Sequence, residues 1–260
     1  ELVVSDLSFN DTTGQPIVKD INFAVHSGEI LGVAGIEGNG QNELSELITG
    51  MKKIENGDIT INGKNIRDLS VRQIRELGVA HISQDRMTYG VVANASIAEN
   101  MVADRYYKPE FNQGFLIDVK KIKEEVDNLI EEYQVKCDDR DQPMAMLSGG
   151  NMQKVVVARE FSSSPRLVVA NQPTRGIDVG TAELVRNKLV DLRDQGAAVL
   201  LISADLTEIL ELSDSIIVLC NGEIVAYFDD VKTVDPIDVG EYMLGLKRMD
   251  DEQIRRAAHE

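Results

Sequence analysis

The sequence predicts an α/β protein: a mainly parallel sheet core, an antiparallel β layer and a helical subdomain. Three observations carry this expectation. Short apolar runs at 30–34, 79–82, 167–170, 198–203 and 215–220 alternate with helix-patterned segments, as buried parallel strands joined by crossover helices do. The N-terminal stretch instead shows two-residue alternation and reaches an Asn62-Gly63 turn, the pattern of an antiparallel layer. From about residue 86 to 161 strand signals fade and helical periodicity takes over. The expected organisation is one domain over 1–260, with the core and β layer in 1–85 and 162–246, the helical subdomain in about 86–161, and a charged tail, 247–260.

In chain order, Leu2, Val4, Leu7 and Phe9 alternate loosely, Asn10 to Gly14 break the pattern, and a second strand is expected at about 21–25. The run at 30–34 leads straight into the glycine-rich loop Gly35-Ile36-Glu37-Gly38-Asn39-Gly40-Gln41-Asn42. Leu44, Leu47 and Ile48 then mark a helix face closed by Gly50. Strand, glycine loop and helix together form the context a phosphate-binding loop requires. Asp58 to Ile61 enters the Asn62-Gly63 hairpin, a short helix spans Ser70 to Leu77, and the strand at 79–82 ends near Gln84-Asp85-Arg86. Helices are expected at Ser96 to Ala103 and at Val119 to Tyr133, the latter with Val119, Ile122, Val126, Leu129, Ile130 and Tyr133 on one face. The strand at 167–170 precedes Asn171-Gln172-Pro173-Thr174-Arg175-Gly176-Ile177-Asp178. There follow a helix from Ala182 to Leu192, a strand, a helix from Leu206 to Leu212, a strand, and an Asn221-Gly222 turn into Ile224 to Tyr227.

The octet Leu147-Ser148-Gly149-Gly150-Asn151-Met152-Gln153-Lys154 opens another apolar helix. Serine at its start faces unpaired N–H groups and the positive end of the helix dipole, which suits a phosphate. An ordinary capped helix explains the octet equally well on its own.

The formal net charge is −17 over 260 residues. This argues against nucleic acid as a partner and requires any phosphate to be held by local geometry. Cys137 and Cys220 are too far apart in sequence for a metal cluster and read as reduced, packed thiols of a cytosolic compartment. No run has the length of a membrane span and no signal peptide is seen. The chain opens at Glu1 without an initiator methionine, as a piece of a longer polypeptide would.

With these pieces in this order, the sequence resembles the nucleotide-binding domain of an ATP-binding cassette (ABC) transporter, an ABC-type P-loop NTPase, over essentially its whole length. The octet is similar to the family's signature motif, and the loop at Gly35 stands where its Walker A loop belongs. Gln84 matches the Q-loop glutamine, residues 167–172 the Walker B strand, Ile177-Asp178 the D-loop and Ala204 the switch-histidine position. Asn39-Gly40-Gln41-x-Glu43-Leu44, Pro173 to Gly180, and the stretch from Tyr106-Tyr107-Lys108 to Gly114-Phe115-Leu116 look like the second half of tandem ATPase subunits of sugar and nucleoside importers, the nucleoside branch in particular.

The resemblance implies ATP contacts at Gly35, Gly38, Asn39, Gly40, Gln41, Asn42, Glu43, Gln84, Ser148, Gly149, Gly150, Asn151 and Asp178. It also exposes departures. Where the family has lysine and a hydroxyl residue, this chain has Gln41 and Asn42, so a charge-assisted phosphate contact of about 1.5–3 kcal/mol is gone. Glu43 places a carboxylate where it would repel a triphosphate. Asn171 and Gln172 replace the Walker B Asp-Glu pair, which weakens magnesium binding. Loss of the general base at Gln172 removes about 10²–10⁴ in rate. Ala204 stands for the switch histidine. No catalytic residue is intact and no metal ligand is assigned. An engineered Glu-to-Gln trap would account for Gln172 but not for Gln41, Asn171 or Ala204.

In this family two domains face each other head to tail. The resemblance therefore implies that Ser148-Gly149-Gly150 completes the ATP and magnesium site of an N-terminal sister half or partner ATPase domain, while this chain's own site binds ATP weakly or not at all. It also implies transmembrane permease subunits as partners, contacted through Gln84 to about Asn100, an indirect solute-binding lipoprotein, and a peripheral place on the cytoplasmic face of the plasma membrane. The alternatives are a docking module for the permease that never binds nucleotide, and a soluble relative working apart from a membrane. Phe9 is either an adenine-stacking aromatic or a core residue. Arg175 either steadies the loop after Walker B or is solvated.

Overall fold

The computed structural model describes residues 1–113 and 116–258. Gly114 and Phe115 of the importer-like stretch, and the last two residues of the charged tail, lie outside the described residues. The chain divides into two units, one of Glu1–His81, Pro165–Gln172 and Leu189–Glu260, the other of Ile82–Ser164 and Pro173–Lys188.

In the first unit, β1 (Leu2–Asn10) and β2 (Pro16–Val25) pair antiparallel. Strand β2 begins earlier than the expected 21–25. Only Val18 is buried in its first half, and Asp6 and Asp20, both at φ 50°, interrupt the register, so no apolar alternation announces it. The turn is set by Asp11, whose Oδ1 accepts from the backbone N–H groups of Thr13 and Gln15, each at 2.8 Å. β3 (Ile30–Ala34) is buried throughout and passes through the glycine loop into α1 (Gln41–Ile48). β4 (Asn56–Ile61) pairs with β1 and turns at Asn62-Gly63 into β5 (Lys64–Asn65). α2 (Val71–Glu76) carries a capping box between Ser70 and Gln73, and β6 (Val79–Ile82) follows.

Further along come β7 (Asn112–Gln113) and β8 (Leu116–Ile117), a short hairpin within the stretch where strand signals fade. β9 (Leu167–Asn171), β10 (Ala198–Ser203), β11 (Ser215–Cys220) and β12 (Glu223–Phe228) complete the strands. The larger sheet has the order β12-β11-β3-β10-β9-β6, and the smaller β2-β1-β4-β5. β11, β3, β10 and β9 run parallel, and β12 returns antiparallel. One core joins both sheets to α1: Leu2, Phe23 and Ile59 pack in the same cluster as Leu44, Leu47, Val33 and Leu200. Apolar burial of this kind is the main stabilising term of the fold.

The second unit is mainly helical. α3 (Ile97–Val102), α4 (Val119–Glu132) and α5 (Gly149–Phe161) pack on one another around Ile97, Met101, Val126, Leu129, Val155 and Phe161, all buried. Val119 departs from the expected helix face and is exposed. α6 begins at Val179 rather than Ala182 and runs to Asp194, because Asp178 caps its first turn; exposed Val179 adds nothing to the apolar face. In the first unit, α7 (Leu206–Leu212) packs on β3 and β10. α8 (Pro236–Met243), unannounced by its sequence, starts on an Asp235 cap with proline in its first turn. α9 (Asp251–Arg255) lies in the charged tail.

Candidate functional site

The predicted site residues fall on both units. In the first, three neighbouring parallel strands end together: Ser203 is level with Ala34, and Asn171 with Ile202. The loop after Ala34, Gln172 and Ala204 therefore leave the same edge of the sheet. Ligand sites of α/β proteins form at such carboxyl ends.

The glycine loop is fixed by backbone demands. Gly38 and Gly40 have φ of 95° and 98°, a region costly for other residues. A Cβ on Gly40 would stand 2.7 Å from the Ile17 carbonyl. No side chain caps α1 at Gly40, so the first-turn N–H groups face outward at the positive end of the helix. Asn39 braces the loop: its Oδ1 accepts from Asn221 N–H at 3.0 Å and its Nδ2 donates to the Leu219 carbonyl at 3.3 Å.

Gln41 is buried, and its Nε2 donates back to the Ile36 carbonyl at 3.0 Å. Asn171, 2% exposed, donates from Nδ2 to Asn42 Oδ1 at 3.1 Å. Asn42 Nδ2 in turn donates to Glu46 Oε1 at 3.3 Å. The positions expected to hold lysine, a hydroxyl and a carboxylate thus all carry neutral amides, of which Asn171 and Asn42 are bonded to each other and Gln41 to its own loop. Lys52, which sequence reasoning passed over, lies 3.8 Å from Glu43 and 2.7 Å from Glu46. The Glu43 charge, expected to repel a triphosphate, is offset there by an ammonium. Lys52 also sits 5.2 Å from the centroid of the Phe9 ring. Phe9 packs against the core cluster, which favours its core reading.

Gln172 has φ 52° and keeps its N–H on the Ile202 carbonyl at 2.8 Å. Pro173 bars the right-handed helical region to the residue before it. Ala204 is exposed and precedes Asp205, the cap of α7.

The second unit gathers Gln84, Ser148–Asn151 and Asp178. Ser148 caps α5; its Oγ accepts from Asn151 N–H at 3.4 Å and from Asn151 Nδ2 at 3.0 Å. Asn151 Oδ1 accepts from Lys136 N–H at 2.9 Å, which fixes the amide. With two acceptances on Oγ, the serine hydroxyl keeps its proton to donate outward. Asp178 Oδ1 accepts from Thr181 N–H at 3.0 Å and Oδ2 from Thr181 Oγ1 at 2.9 Å. These bonds hold its carboxyl below the usual range, with Lys154 adding a smaller electrostatic pull.

Arg86 is the residue that steadies the loop after Asn171-Gln172, a role sequence reasoning weighed for Arg175. Its Nη2 donates to the carbonyls of Arg175 at 2.9 Å and Gly176 at 3.2 Å, and Nη1 reaches Gln153 Oε1 at 3.4 Å. Gln153 Nε2 donates to the Pro173 carbonyl at 2.7 Å. Burial pushes the Arg86 guanidinium down and Asp85 opposes it. Arg175 itself is exposed. No local pattern marks Arg86, since its partners lie far along the chain. Gln84 is half-buried, two residues before it.

The family model of the ABC transporter matches residues 18–175. The chain belongs to the ABC transporter family. Among the curated relatives of this ABC cassette, the guanosine import ATP-binding protein NupO of Bacillus subtilis is 42% identical over 94% of this chain and 47% of its own length. The nucleoside import ATP-binding protein NupA of Lactococcus lactis subsp. cremoris is 39% identical over 94% of this chain and 48% of its own. The cassette thus spans about half the length of the curated relatives it matches. A dimeric post-hydrolysis structure of the ATP-binding cassette MJ0796 superposes with a TM-score of 0.75 at 18% identity, over 87% of this chain and 97% of that one. That likeness shows the ABC ATPase fold. No helix among the described residues is long and apolar enough to cross a membrane.

Proposed function

We propose that this ABC domain is the ATPase half of an importer for nucleosides or sugars that keeps a phosphate cradle but does not hydrolyse at its own site. The observation that carries this reading is the Asn171–Asn42 amide pair, beside a Gln41 turned onto its own loop. A reaction site here would need a carboxylate to accept a proton from water. Gln172 supplies a neutral amide that cannot take one.

The residues present fit the two implied groups unequally. The uncapped start of α1 and the Gly38–Gly40 backbone suit phosphate oxygens. Magnesium does not fit: Asn42 and Asn171 are uncharged and bonded to each other, and among the described residues no set of three or more His, Cys, Asp or Glu side chains is arranged to hold a metal.

The signature does fit a working role. Ser148, exposed at the start of a 13-residue helix and with a hydroxyl proton free to rotate, would donate to the phosphate of a nucleotide held by a sister ATPase half. Toward a permease, the segment after Gln84 offers Met87, Tyr89 and Val92, all exposed apolar side chains. A cavity of about 820 Å³, lined by Val92, Ala98, Val102, Tyr106 and Ile122 among others, lies in the same unit. The nearness of NupO and NupA favours the nucleoside branch, and the place of work is the cytoplasmic face of the plasma membrane.

The test is ATP turnover by the protein alone, expected at the buffer blank. Turnover well above it, abolished by Gln172→Ala, overturns the reading. In the assembled importer, Ser148→Arg should abolish turnover. The docking-only alternative, motivated by Glu37 and Glu43 beside the glycine loop, loses the Glu43 part of its electrostatic argument through the Glu43–Lys52 pair, and a submillimolar affinity for ATP by calorimetry excludes it.

A further inference from the structure

We infer that the nucleotide site of this chain takes its nucleoside triphosphate without magnesium. This rests on the reading of Gly35–Glu43 as a phosphate cradle given above.

Magnesium demands six oxygens in near-octahedral array, keeps several waters, and is held by carboxylates, phosphates and the hydroxyl of a phosphate-binding loop. The two side chains placed to meet such an ion are Asn42 and Asn171. They carry no charge, and each has its amide engaged: Asn171 Nδ2 on Asn42 Oδ1 at 3.1 Å, and Asn42 Nδ2 on Glu46 Oε1 at 3.3 Å. The pair is closed without an ion. The carboxylates of α1 do not substitute, because Glu43 and Glu46 lie 3.8 and 2.7 Å from the Lys52 ammonium.

The same atoms suit a bare polyphosphate. Gln41 Nε2, Asn42 Nδ2 and Asn171 Nδ2 each carry a second N–H beyond the bond already named, and α1 presents further N–H groups with no side chain capping them. A phosphate that keeps its full charge is the strongest acceptor such donors can meet. One that shares its β and γ oxygens with magnesium is a weaker acceptor and brings metal-bound water, itself a donor, against donors. Magnesium in solution, by sequestering ATP, then competes with the site instead of completing it.

The experiment is calorimetric titration of the protein with ATP in excess EDTA and in millimolar magnesium. The expected result is binding in EDTA that millimolar magnesium weakens, with no tightening as large as about tenfold, a factor worth about 1.4 kcal/mol. Tightening beyond that overturns the inference while leaving nucleotide binding at this site intact. Absence of binding in both buffers overturns the inference together with the phosphate-cradle reading. The double variant Asn42→Ser with Asn171→Asp, verified as folded by circular dichroism, restores the oxygen ligands and is expected to gain a magnesium dependence of at least about tenfold. A folded double variant still indifferent to magnesium also overturns the inference.

Discussion

The carboxylate of Asp178 occupies the space that a side chain on Gly150 would need: a Cβ there would stand 2.6 Å from Asp178 Oδ2 and 3.0 Å from Thr181 Oγ1. Glycine at position 150 is thus required by the loop that follows β9. Replacing glycine by alanine in a helix ordinarily gains up to about 1 kcal/mol. At Gly150 the overpacking costs about 1–3 kcal/mol, which reverses the sign. Gly149 is the control, since its Cβ would meet only the Gly176 carbonyl at 3.7 Å and Arg86 Nη2 at 4.0 Å. Urea denaturation should find Gly150→Ala destabilised and Gly149→Ala neutral or stabilised. Equal midpoints for the two variants would remove the packing argument.

Asp178 also sets a pH dependence. Its folded pKa lies below the unfolded value because Thr181 donates two hydrogen bonds to the charged form. Stability from a depressed carboxyl is fully present above the unfolded pKa of about 3.9 and is lost as pH falls through the folded pKa. The advantage of the wild type over Asp178→Asn should therefore be constant from neutral pH to about 5 and shrink below about 4. Denaturation midpoints of both proteins across that range check it; a difference that grows on acidification contradicts the assignment.

These long-range relationships explain what was legible beforehand and what was not. β3, the glycine loop, α1 and the Ser148 start of α5 follow from local pattern, since each strand buried on both faces is a continuous apolar run and each helix start needs a cap or a glycine. The half-buried, bulged first half of β2 has no such pattern. Asn42 and Asn171 could each be read as a lost charge, but 129 residues separate them, and only the fold makes them partners. Glu43 was legible as a repulsive carboxylate, while Lys52, which offsets it, is placed by the turn after α1. Arg86 was invisible for the same reason: its acceptors are carbonyls brought in by tertiary structure.

Arg86 yields a further test. Removing its side chain leaves the Arg175 and Gly176 carbonyls and Gln153 Oε1 without that donor, at about 0.5–1.5 kcal/mol because the carbonyls are exposed and can turn to water. A lysine carries the charge but not the planar fork that spans several acceptors. Arg86→Ala should lower stability and speed amide exchange in residues 174–178, and Arg86→Lys should recover only part of either. Full recovery by lysine would mean that charge, not shape, holds the loop.

Gln172 offers a test in the opposite direction, toward higher stability. It holds φ 52° directly before a proline. The left-handed region costs a non-glycine residue roughly 1–2 kcal/mol, and Pro173 blocks relaxation into the right-handed helical region. Glycine accepts this conformation without strain but loses more entropy on folding, roughly 0.5–1 kcal/mol. The difference predicts that Gln172→Gly stabilises the protein slightly, by up to about 1 kcal/mol, with the N–H bond to Ile202 retained. Gln172→Ala, which keeps a Cβ and the strain, should not share the gain. Thermal denaturation of the two variants decides it: a glycine variant no more stable than the alanine one would show that the backbone at Gln172 carries no strain.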